Sequence, residues 1–87
     1  MSAGSLFRAV FFTAELNDIY RKLLKPLSPA GKIQLQNEQR GWLNDRDTFA
    51  AIHANQSWSP FPNASRIEGL AIATEMRVAE LGKRLAR

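Results

Sequence analysis

Gln39, Trp42, Arg46, Phe49 and His53 follow one another at steps of three and four, so on a helix they stack along one face. An ordinary buried stripe would be aliphatic throughout. Here an amide, a guanidinium and an imidazole share the register with two aromatic rings. Polar groups on a core-facing stripe must be hydrogen-bonded or paired, or they destabilise the fold. Raw material for catalysis is thin. His53 is the only histidine, with no cysteine beside it and no evident Ser–Asp arrangement. Asp45 and Asp47 point to different helix faces and cannot act as a carboxylate pair without a third group. The two-His spacing of a zinc helix and a glycine-rich phosphate loop are both missing. The residues point to a protein that is not an enzyme, with no catalytic, cofactor-binding or metal-binding residue to assign.

Arg46 and Arg77 carry two readings. In the structural one each guanidinium lies near an inter-helix seam and pairs with Glu15, Asp18, Asp47 or Glu75, Asp18 being the preferred partner. Trp42 is then a core aromatic, and Trp42→Ala is expected to cost about 3–5 kcal/mol. In the functional one Arg46 and Trp42 face a groove that receives a partner. The structural reading is preferred.

The elements that must position these residues are helical. From about 5 to 25, Leu16, Ile19, Tyr20, Leu23 and Leu24 form an amphipathic stripe. Ser5 fits as its N-cap, and Pro26 ends the segment. Ser28-Pro29 restarts a helix, serine capping and proline in the first position. The short connection predicts that the first two helices form an antiparallel hairpin. The second helix, about 29–55, carries Ile33, Leu35, Trp42, Leu43, Phe49 and Ile52 and spans roughly 40 Å. Pro60 and Pro62 break it, in a stretch where Trp58 and Phe61 either cover the end of the core or form an exposed partner contact. Ser65-Arg66-Ile67-Glu68 matches a capping box, which predicts a third helix over about 64–86, starting there or at Asn63. Its seam is Ile67, Leu70, Ala71, Thr74, Val78, Leu81 and Leu85, with Arg77 alongside. The expectation is an all-α fold: a three-helix antiparallel bundle with a long central helix, in a single domain over 1–87.

Eighty-seven residues without cysteine leave neither disulfides nor thiolate metal sites to support a core that a chain this short makes marginal. Twelve basic residues against eight acidic ones give a net charge of +4, which favours an acidic protein, a nucleic acid or an anionic surface as partner. The charges are not clustered, apart from Lys83, Arg84 and Arg87. No run approaches the roughly 20 apolar residues of a membrane span. The chain as written is expected in the cytoplasm, and in the periplasm if a signal peptide precedes Met1.

Together these residues resemble the lysozyme-inhibitor LprI-like family of small helical bacterial domains. Leu16-Asn17, Tyr20 and Leu23-Leu24 are similar to its first helix, and Leu27-Ser28-Pro29-Ala30 to its turn. Leu35, Gln39-Arg40, Trp42 and Arg46-Asp47 resemble its signature, and Thr74, Arg77 and Leu81 its closing helix. The resemblance implies exported, cysteine-bearing relatives. By its spacing Ala50 and Gly69 stand where cysteines would be, so this chain reads as a cysteine-free, leaderless member.

The expected function is a non-catalytic helical protein-interaction domain of that family, a monomer or homodimer with a protein partner. Tyr20, Gln39, Trp42, Arg46, Asp47 and Arg77 are its signature residues, and Trp58 with Phe61 a further contact. Lysozyme inhibition is the alternative; a +4 chain would meet like-charge repulsion from a basic lysozyme. A basic helical nucleic-acid binder is the third reading, weakened by the lack of a short recognition helix.

Overall fold

A computed structural model describes residues 3–56 and 61–86. Three helices account for nearly all of them: α1 (Ala3–Leu24), α2 (Pro29–Gln56) and α3 (Pro62–Leu85). No strand occurs among the described residues, and no helix is long and apolar enough to cross a membrane. The bundle is elongated, 47 × 21 × 16 Å.

The turn between α1 and α2 forms as its residues dictate. Leu27 N–H donates to the Leu24 carbonyl, and Ser28 caps α2: its side-chain oxygen accepts from Gly31 N–H at 3.2 Å and its carbonyl from Lys32 N–H at 2.9 Å. Removing that cap in Ser28→Ala is expected to cost about 1 kcal/mol, read as a lower urea midpoint with an unchanged slope.

The other two helix starts differ from expectation. α1 begins at Ala3, which puts Ser5 inside the helix and buried. α3 begins at Pro62, whose fixed φ suits a first helical position, so Ser65 is a buried helical residue and not the cap. Glu68 does not fold back onto Ser65; its Oε1 lies 3.4 Å from His53 Nε2 across the bundle.

Packing is organised by α3. It runs along both α1 and α2, which scarcely touch each other. Ser65, Gly69, Ala73, Arg77 and Leu81 recur at steps of four on a buried row, while Ala71 and Thr74 are buried off that row. α3 is therefore covered on two sides. Small residues let the helices close in. A Cβ on Gly69 would fall 2.9 Å from Ala50 Cα and 3.1 Å from His53 Cβ, so only glycine fits this crossing without a shift.

The α1–α2 hairpin thus exists in sequence but is splayed in space, with α3 holding both arms. The apolar residues of α2 explain this, because they are spread around the helix. Only Leu35 and Ala50 are buried, and Ile33, Leu43, Phe49 and Ile52 are exposed. On α1, Leu16 is buried, whereas Leu6, Phe7, Val10 and Phe11 face solvent, Phe7 at 72% exposure. The core is thin, and Leu81 is its largest fully buried side chain.

Candidate functional site: the groove between α1 and α2

Because α1 and α2 diverge over α3, an open groove of about 500 Å³ runs between them. α1 contributes Leu16, Asn17 and Tyr20. α2 supplies the other wall with Gln36, Gln39, Arg40, Trp42, Leu43 and Arg46, and Thr74 of α3 lies beneath. Four residues singled out from the sequence, Tyr20, Gln39, Trp42 and Arg46, therefore meet in one cleft. Trp42 is half-buried, not a core aromatic. The large and polar side chains along this part of α1 and α2 are poorly suited to close interdigitation, which fits the separation of the two helices.

Two guanidinium groups flank the Trp42 ring, that of Arg46 at 5.7 Å and that of Arg77 at 5.8 Å from the ring centre. The quadrupole of an indole attracts a cation at such distances. Arg46 also donates through Nε and Nη2 to Asp47 Oδ1, at 3.1 and 2.8 Å. Asp47 itself is exposed and does not line the groove.

Arg77 is only 4% exposed. Its Nε and Nη2 both donate to Gln39 Oε1, at 3.1 and 2.9 Å, and its Nη1 donates to Glu80 at 3.0 Å. Glu38 stands 3.7 Å away, and Arg84 closes the set with a two-pronged pair to Glu38 at 2.9 and 2.6 Å. Two arginines and two glutamates thus alternate at the α2–α3 seam. The Arg84 hydrogen bonds, aided by its charge and that of Arg77, hold the Glu38 carboxyl below its ordinary range against a smaller opposing effect of burial. Arg84 is held above its own ordinary value chiefly by its bond to Glu38. A depressed carboxylate pKa stabilises the folded state above the unfolded value, and that gain is lost as pH falls through the folded one.

Asp18 is not the partner of either arginine; it pairs with Lys22 at 3.0 Å, one turn along α1. Glu75 pairs with Arg8 at 2.8 Å. The carboxylates that do meet Arg77, Glu38 on α2 and Glu80 on its own helix, are not among Glu15, Asp18, Asp47 and Glu75, because the register of α2 on α3 decides which acid reaches it. Arg40 and Gln36 were also missed as groove residues. Their spacing with Leu43 runs parallel to the Gln39–Trp42–Arg46 row and was the available signal.

Phe61 sits at the start of α3, 62% exposed and outside the groove. Trp58 lies outside the described residues. His53 stacks on Phe49, with ring centres 6.3 Å apart, at the end of the bundle near Glu68.

A family model described as Lysozyme inhibitor LprI matches residues 12–81. The chain belongs to the LprI family. The match spans the groove, the α2–α3 seam apart from Arg84, and both positions of the Ala50–Gly69 contact. That contact has meaning in this family setting. The two positions at which the sequence resemblance placed cysteines touch each other between α2 and α3, and here they are filled by the smallest residues instead. No curated protein and no solved structure matches the chain.

Proposed function

We propose that the protein is a non-catalytic binding domain that engages another protein through the α1–α2 groove. One observation carries this reading: Tyr20, Gln39, Trp42 and Arg46 line an open cleft instead of filling a core. Residues that served packing alone would be interdigitated there. Arg77, which does not line the cleft, holds Gln39 in place from behind, which suits a pre-organised surface.

A photo-crosslinking residue at Leu43, in the groove, and another at Ala51, an exposed position of α2, test this in cells. Adducts from Leu43 and none from Ala51 are expected. Adducts from Ala51 alone, or equally from both, would remove the groove from the function.

Lysozyme inhibition is the second reading, and the description of the family supports it. The net charge of +4 makes an acidic muramidase a better match than a basic one. Muramidase assays with lysozymes of opposite net charge decide between them. Inhibition of the acidic enzyme that weakens with salt is expected; no inhibition of either at micromolar protein would exclude this role. For nucleic acid, helices of 22, 28 and 24 residues provide no short recognition helix, and that reading is not pursued.

A further inference from the structure

The walls of the groove are unbalanced in charge. Arg40 and Arg46 line it, and no aspartate or glutamate does. The other arginines of the α2–α3 seam are neutralised by Glu38 and Glu80. Arg40, by contrast, makes no ion pair among the described residues, and Arg46 has only the half-exposed Asp47.

Hydrogen-bonding capacity leans the same way. Two N–H groups of Arg77 occupy the Gln39 carbonyl oxygen, so the end of that amide left to bond is its NH2, a donor. Beside these donors stand Trp42 and Leu43, an apolar surface. The volume of about 500 Å³ is in the range that holds a small ligand or a few side chains. A nucleic acid would need several phosphate contacts, and the groove has two cations against an apolar wall.

We infer that the groove takes an acidic polypeptide segment: a carboxylate seats between Arg40, Arg46 and the Gln39 amide, and a neighbouring apolar side chain lies on Trp42 and Leu43. This rests on the groove being the binding surface and adds the chemical class of what it binds. A carboxylate is the planar acceptor that a guanidinium fork matches.

The test uses the full chain, isotope-labelled for NMR. It is titrated with a short blocked peptide of alternating leucine and glutamate, with the same peptide carrying glutamine for glutamate, and with a short oligothymidine. The glutamate peptide is expected to shift the Arg40 and Arg46 guanidinium signals and the Trp42 indole, with an affinity that falls as salt rises. Arg40→Gln with Arg46→Gln should weaken it about tenfold, the sum of two solvent-accessible pairs. Both positions are outside the core, so the double variant is expected to fold, and an unchanged helical spectrum checks this.

Equal binding of the glutamine peptide in the groove would overturn the acidic preference and leave the groove reading standing. Tighter binding of oligothymidine would overturn the ligand class. No shift with any probe at millimolar concentration would also overturn it, the crosslinks at Leu43 then deciding the groove reading separately. Shifts confined to Phe7 and Phe11, unaffected by the double variant, would remove both.

Discussion

Arg77→Ala is expected to lower the stability of the fold by about 3–5 kcal/mol, the cost of breaking a buried charged junction. The guanidinium is almost wholly enclosed and donates to Gln39 on α2 and Glu80 on its own helix. Its loss opens a cavity beside Trp42 and leaves the Gln39 oxygen without two donors at once. A domain of this size holds a total of roughly 5–15 kcal/mol, and with so thin a core the variant should be partly unfolded at 37 °C.

Two further variants separate the causes. Arg77→Met restores most of the side-chain volume but not the donors, and should cost about 1–3 kcal/mol, the penalty of an acceptor left unmatched. Glu80→Gln alters a half-exposed partner and should stay within about 1 kcal/mol of the parent. Urea unfolding followed by circular dichroism measures all three. Equal small losses in the series would mean that the junction contributes little.

The second large effect concerns the crossing of α2 and α3. With cysteine at both Ala50 and Gly69, oxidation is expected to close a disulfide. The two Cβ atoms would stand 3.4 Å apart, just short of the range of about 3.5–4.5 Å that a disulfide spans. A shift of a few tenths of an ångström then suffices. Reduced, the same variant should be strained, since any Cβ at position 69 meets the Ala50 backbone.

The comparison is therefore between the two redox states of one protein. Closing a loop of this length should favour the oxidised form by about 3 kcal/mol, or roughly 12–24 °C in melting temperature for a domain this small. A free-thiol count taken after oxidation reports closure directly. Persistence of two free thiols, or equal melting of both forms, would show that the helices do not approach as described.

How far these features could be read beforehand depended on whether they were local. Ser28-Pro29 was fully legible, because cap and proline act within one turn and nothing distant competes. The third helix was legible as an element but not at its start: Pro62 sets the first turn, while Glu68 reaches His53 instead of completing a box with Ser65. The polar stripe on α2 was recognised, yet its environment was not. Its aromatic and arginine residues suggested a core, whereas the contact that seats α2 on α3 is made by Ala50 and Gly69, whose small side chains add almost nothing to a hydrophobic pattern. Arg77 lies at the α2–α3 seam, but its carboxylate partners depend on how two helices register, which spacing within one helix does not specify.

The position of α3 between the other two helices also bears on how the chain comes to fold. α1 and α2 are adjacent in sequence but give each other little surface, so before α3 is made their hairpin has almost nothing to stabilise it. Isolated helices in water are marginal without a packed face. α2 and α3, joined by a short connection, form the natural first pair. α1 must then return across the longest separation in the chain, a closure whose entropic cost rises only slowly with length. Of these three helices the last in sequence order is the one on which the other two depend, and their packing should form from α3 back towards α1.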